Sequence, residues 1–88
     1  MLMARTRKEE KQLQLLAERL IDARERAGFE TLEDAAKVVK IPAHTIRSYE
    51  RGRFVPSALK IAQLASGYDM SADYLLGLTA KRKKAPKG

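Results

Sequence analysis

Between Ala43 and Arg53 the chain reads AHTIRSYERGR and gathers hydrogen-bonding side chains: His44, Thr45, Arg47, Ser48, Arg51 and Arg53. On a helix, Ile46 and Tyr49 are the large apolar residues of this stretch and must face a core. That turns Ala43, His44, Arg47 and Ser48 outward. The outward set suits the edges of paired bases. An arginine fork can donate two hydrogen bonds to guanine O6 and N7, histidine and serine can donate or accept, and an alanine methyl can rest on a thymine methyl. Arg51 and Arg53 follow directly and suit phosphate oxygens. A solvated helix surface is the plainer reading of the same charges, so the surrounding elements must decide.

Other chemistries are poorly provided for. The chain has no cysteine, which removes disulfides, thiolate zinc sites and a cysteine nucleophile. A single histidine removes multi-histidine metal sites. There is no nucleophile-elbow glycine pattern, no glycine-rich phosphate cradle and no metal-ligand spacing. The adjacent carboxylates Glu9 and Glu10 fall at a helix start and read as solvated charge. Neither catalysis nor a metal or other cofactor is expected.

The elements that must position the outward side chains are helical. The chain has 88 residues, 44% hydrophobic and 33% charged, which describes one small soluble domain. From Lys8 to Ala27, apolar residues recur at Leu13, Leu16, Ala17, Leu20, Ala23 and Ala27 in three- and four-residue steps, with Gly28 as a stop. Thr31 can cap a second helix, with Glu33 and Asp34 in its first turn and Ala35, Ala36 and Val39 inward. Lys40-Ile41-Pro42 breaks it, and Pro42 suits the first turn of a third helix that ends at Gly52. Pro56-Ser57 opens a fourth helix with Ala58, Ile61, Leu64 and Ala65 inward. Ser71 caps a short fifth through Tyr74, Leu75 and Leu76, closed by Gly77. The expected class is all-α with five helices. Residues 1–7 are expected to fray, residues 8–79 to form the domain, and residues 80–88 to be a disordered basic tail. The tight turn between helices 2 and 3 is the layout of a helix-turn-helix, which generic helix hairpins share.

Net charge is +7, and its distribution is uneven. Residues 1–28 carry seven basic and five acidic groups, residues 29–76 six of each, and residues 77–88 five basic and none acidic. A basic balance in a small domain suggests a polyanionic partner. Apolar runs are too short to span a bilayer, and the N-terminus lacks an apolar signal core. The expected location is therefore cytoplasmic and nucleoid-associated, with no membrane contact.

The stretch Thr31 to Gly52 resembles the DNA-binding domain of lambda-repressor-like regulators, the Cro/repressor (XRE) family. Ala36 stands where the family packs a small residue between the motif helices, and Ile46 at the buried position of the recognition helix. Ser48-Tyr49-Glu50-Arg51-Gly52 looks like the family's "-YE-G" ending. Leu16 to Gly28 upstream, and Pro56-Ser57 and Met70 to Gly77 downstream, look like its first, fourth and fifth helices. Departures are Lys40, where the family often has glycine, Pro42 in place of a serine cap, Ala43 at an often polar position, and Thr31-Leu32 where many members carry a DNA-contacting glutamine.

The resemblance implies a sequence-specific regulator that binds double-stranded DNA, a repressor of phage or prokaryotic type. Base contacts would come from Ala43, His44, Arg47 and Ser48. Phosphate contacts would come from Thr31, Lys40, Thr45, Arg51, Arg53 and Ser57, aided by the N-termini of helices 2 and 4. Arg24 would pair with Glu50 to hold helix 3 against helix 1. A homodimer on a two-fold operator is implied, meeting through the last helix and Leu78, with no small-molecule effector within the domain. The basic tail would add affinity without specificity. The competing reading is a protein-interaction module, an antitoxin or adaptor, in which helix 3 would expose apolar residues.

Overall fold

Helix boundaries in the computed structural model, which describes residues 5–83, fall where side chains satisfy free backbone groups. Helix α1 (Arg7–Arg26) opens with a reciprocal capping box. The Thr6 hydroxyl accepts from the Glu9 N–H at 3.1 Å, and Glu9 Oε1 accepts from the Thr6 N–H at 2.9 Å. The helix thus begins one residue before Lys8, and Thr6 and Arg7, expected in a frayed segment, belong to an organised helix start. Residues 1–4 of that segment lie outside the described residues. Helix α2 spans Leu32–Val39, α3 Ala43–Glu50, α4 Ala58–Gly67 and α5 Ala72–Leu76, with no strand among the described residues. Thr31, Ser57 and Ser71 cap α2, α4 and α5 through their hydroxyls.

The α2–α3 turn is built from three residues. Lys40 takes the left-handed conformation at φ 63°, ψ 37°. Ile41 drops into the core at 1% exposure. Pro42 is the N-cap of α3, not a first-turn residue: its ψ of 143° is extended, and its carbonyl accepts from both Thr45 and Ile46 N–H, at 3.0 and 3.1 Å. A proline has no side-chain acceptor, so α3 begins without a side-chain cap.

Helix α1 packs against α3 and α5, α2 against α3 and α4, and α4 against α5. The shared core takes Leu16, Leu20 and Ala23 from α1, Ala35 and Val39 from α2, Ile46 and Tyr49 from α3, and Ile61 and Leu64 from α4. Each fully buried leucine or isoleucine contributes about 1.5–3 kcal/mol. Small residues set the closest approaches. Ala23 and Ala35 are wholly buried, whereas Ala36, expected between the motif helices, is only half-buried at the core's edge. Ala58, expected inward, is exposed, because the inward face of α4 starts at Ile61. At Gly67 a Cβ would lie 2.5 Å from Val39 Cγ1, so the last turns of α4 and α2 nearly touch. No helix among the described residues is long and apolar enough to cross a membrane.

Candidate nucleic-acid interface

With Ile46 1% and Tyr49 8% exposed, the opposite stripe of α3 faces solvent. His44 and Arg47 are exposed, and Ala43, Thr45 and Ser48 are half-exposed. The side chains of Arg47, Arg51, Arg53 and Lys40 form no ion pair among the described residues. Ser48 is partly committed: its hydroxyl donates to the His44 carbonyl at 3.2 Å, which leaves its oxygen facing outward as an acceptor. The outward stripe therefore carries the Arg47 donors, the His44 ring, which can donate or accept, and the Ser48 oxygen as an acceptor.

Residues flanking this stripe are positioned by the helix ends. Arg51 caps α3, and Gly52 at φ 71° lets the Gly52 and Arg53 amides close back on the Tyr49 and Ser48 carbonyls at 3.1 and 2.9 Å. This double closure is the Schellman arrangement, and it sets Arg51 and Arg53 at a fixed exit from the helix. The cap oxygens of Thr31 and Ser57 accept from Asp34 and Lys60 N–H at 3.1 and 3.2 Å. Each hydroxyl keeps its own proton for an outside acceptor. Lys40 is exposed at the turn, and its carbonyl and that of Val39 receive the Gln63 amide from α4 at 3.5 and 3.2 Å.

One ion pair orients the motif. Arg24 Nε and Nη2 donate to Glu50 Oε2 and Oε1 at 2.8 and 3.2 Å. Its Nη1 donates to the Phe29 and Glu30 carbonyls at 2.8 and 3.1 Å. A single guanidinium on α1 thus holds the end of α3 and the loop that leads into α2. The two side chains are 11% and 9% exposed. The hydrogen bonds to Glu50 raise the Arg24 pKa above its ordinary value. Beside the pair, the buried Tyr68 hydroxyl has no hydrogen-bond partner, and burial pushes its pKa well above the usual phenol range.

A second charged cluster, on α1 and α5, escaped the sequence reading. Asp22 accepts from Tyr74 Oη at 2.7 Å, Arg82 Nε at 3.0 Å and Arg26 Nε at 2.9 Å. Arg19 lies over the Tyr74 ring at 4.3 Å and donates to the Tyr74 and Thr79 carbonyls at 2.6 and 2.7 Å. Arg82, assigned to a disordered tail, instead packs 5.3 Å from the same ring. Lys84 and Lys87 of that tail lie outside the described residues. The cluster is assembled from positions 52 and 60 residues apart in sequence, so no local pattern announces it. No group of three metal-ligating side chains occurs among the described residues.

Known proteins place this geometry in a family. A family model for the helix-turn-helix domain matches residues 15–75, a span that holds α2 through α4 and most of α1 and α5. The HTH-type transcriptional regulator ImmR of Bacillus subtilis (strain 168) is 36% identical over 69 residues, covering 78% of this chain and 54% of that protein. The chain thus spans about half the length of this relative. The matched span encloses the capped α2, the left-handed Lys40 turn and the outward stripe of α3. The chain belongs to the helix-turn-helix domain family, as a DNA-binding domain of the Cro/repressor (XRE) type.

Proposed function

We propose that this protein regulates transcription by binding double-stranded DNA sequence-specifically, with α3 in the major groove. The observation that carries the reading is the division of α3. Ile46 and Tyr49 anchor one face in the core, while His44 and Arg47 project from the other, with Arg47 forming no ion pair among the described residues. A groove about 12 Å wide admits such a helix. Arg47 is the principal reader, through guanine O6 and N7. His44 is the second, Ser48 offers an acceptor to a base amine, and Ala43 touches a thymine methyl. Thr31, Lys40, Thr45, Arg51, Arg53 and Ser57 hold phosphates on the flanks, with the amide ends of α2 and α4 adding partial positive charge.

One helix reads only a few base pairs, so a second copy supplies the rest of the site. Phe54, Val55, Leu59, Leu76 and Leu78 are exposed large apolar residues, and Val55 and Leu76 line one shallow groove with Leu13 and Leu16. Pairing across this edge would set half-sites about 34 Å apart on a two-fold operator. Occupying a promoter so as to block its use would make the regulator a repressor. The outward face of α3 is polar, which favours DNA over a protein partner there. That its relative is named a transcriptional regulator supports the same reading.

Selection of duplexes from a random pool, followed by base-by-base profiling, tests this. An enriched palindrome is expected. Arg47→Ala should lose about 1–3 kcal/mol of discrimination at one base pair per half-site, with the thermal midpoint unchanged. A profile for Arg47→Ala that keeps every wild-type preference would move the reading to His44 and Ser48. Failure to enrich any duplex would reject the reading itself.

A further inference from the structure

The cluster around Tyr74 has no part in the reading face. Its connections tie down the backbone that follows α5. The Ser71 N–H, at the cap position where a helix provides no partner, donates to the Arg82 carbonyl at 2.7 Å. Leu78 N–H donates to the Asp73 carbonyl at 2.8 Å, and the next residue, Thr79, is held through its carbonyl by Arg19 at 2.7 Å. Held at its own amide and at the next residue, Leu78 stands 73% exposed. The segment Leu78–Arg82 is thus a strap folded back over α5, fastened at its far end by the Arg82–Asp22 pair at 3.0 Å.

We propose that this strap is an electrostatic clasp. Closed on Asp22 and Tyr74, it holds the end of α5 and Leu78 in the pose that pairs with a second copy; opened, it frees them without disturbing α3. The inference rests on the pairing edge proposed above. Two physical contrasts support it. Helix α5 has five residues, far short of a helix that stands by its own backbone bonds, so its ends depend on what fastens them. The fastening is also exposed: the Arg82 and Asp22 side chains are 42% and 29% accessible, so salt screens it. Helix α3 is held by apolar burial and the more deeply buried Arg24–Glu50 pair, which salt screens much less. The clasp therefore lets ionic conditions act on pairing while the DNA-reading surface stays assembled.

Amide hydrogen exchange by NMR tests the clasp in the full chain, comparing wild type with Arg82→Ala and Arg82→Lys at low and high salt. The Ser71 amide is the reporter, because its protection comes from the strap. In Arg82→Ala it should exchange severalfold faster, up to about fivefold, with Leu78 following and the Ile46 amide of α3 unchanged. High salt should bring wild type toward the variant, and Arg82→Lys should fall between. Equal Ser71 protection in wild type and Arg82→Ala overturns the clasp. Sedimentation at matched concentrations then reads pairing, which should weaken severalfold in Arg82→Ala. Faster exchange with unchanged pairing overturns the coupling to the second copy. A wild-type chain that never pairs removes the pairing reading itself, and the exchange result still decides whether the strap is fastened by Arg82.

Discussion

The α2–α3 motif and the α5 end of the molecule use charge in opposite ways. Around α5 the arginines are consumed: Arg19, Arg26 and Arg82 all bond to Asp22 or to backbone carbonyls, while Lys81 and Lys83 form no ion pair among the described residues. On the motif, one part-buried arginine from α1 pairs with Glu50, and Arg47, Arg51 and Arg53 have no ion-pair partner among the described residues. Counting charges along the chain points the other way, since residues 29–76 balance and residues 77–88 carry the excess. Under the proposed function, whether a cation is paired is a better guide than where the net charge sits. A paired cation supports the fold, and an unpaired one on a rigid helix is available to a partner.

The strongest way to break this comparison is to remove the part-buried Arg24–Glu50 pair. Glu50→Ala strands Arg24, and Arg24→Ala strands Glu50 together with the Phe29 and Glu30 carbonyls. Losing one partner of a fully buried pair costs about 3–5 kcal/mol and of an exposed pair about 0–1, so this part-buried pair should fall between, at about 2–3 kcal/mol. In a domain of this size the thermal midpoint should drop by roughly 10–20 °C. The two singles should be non-additive by about 1–3 kcal/mol in the double mutant. Arg82→Ala, breaking an exposed pair, should cost under about 1 kcal/mol. Equal losses at Glu50 and Arg82 would erase the distinction drawn between the two regions.

Next in size is Gly67→Ala, which tests how α4 seats the motif. An added Cβ must displace Val39, whose Cγ1 would be 2.5 Å away and whose Cα 3.2 Å. Overpacking costs about 1–3 kcal/mol, partly offset by the better helix propensity of alanine, about 1 kcal/mol. A net loss measured by urea denaturation is expected. A gain would mean that the last turn of α2 yields freely, and the Lys40 turn with it.

The α5 cluster makes a smaller, pH-dependent contribution. Burial alone would raise the Asp22 pKa, but hydrogen bonds from Tyr74, Arg82 and Arg26 outweigh it and hold the carboxyl at about 2, below its usual 3.8. A carboxylate with a depressed folded-state pKa stabilises above its unfolded pKa and loses that stability as pH falls through the folded one. The Asp22 contribution should thus be complete above about pH 5 and fade between about pH 4 and 2. Thermal midpoints from pH 6 to pH 2 should show a shallower fall for Asp22→Asn than for wild type. Parallel curves would mean that Asp22 is not held in this way.

The same contrast explains what was legible in the sequence. Leu13, Leu16, Ala17, Leu20 and Ala23 repeat at helical spacing, and a period is a local property that needs no fold to be seen. Caps such as Thr31, Ser57 and Ser71 are local as well. Arg24 and Glu50 lie 26 residues apart, and their pairing came from resemblance to a family, not from any pattern between them. The Asp22–Tyr74–Arg82 cluster had neither aid. Its members sit on elements that meet only in the folded chain, and the composition of residues 80–88 reads as solvated tail. Ile41 went unnoticed because a lone apolar residue in a turn belongs to no period, although the core takes it in fully.

Lys40 is where the fold and the proposed phosphate contact meet in one residue, and Lys40→Gly is the finest test. Its backbone sits at φ 63°, a conformation that costs a side-chain-bearing residue about 1–2 kcal/mol and glycine nothing. Glycine also gives the unfolded chain more freedom, which returns part of that gain. The net expectation is a stabilisation of a few tenths to about 1 kcal/mol, or a few degrees in thermal midpoint. DNA binding should move the other way. The Lys40 side chain is exposed beside α3, and losing a phosphate contact should weaken all duplexes alike and reduce the log–log salt slope by about 0.9. A variant that is more stable yet binds more weakly and with less salt dependence would show that a turn costing the fold stability is kept for its charge. A more stable variant with an unchanged salt slope would take Lys40 out of the phosphate set, leaving that role to Arg51 and Arg53.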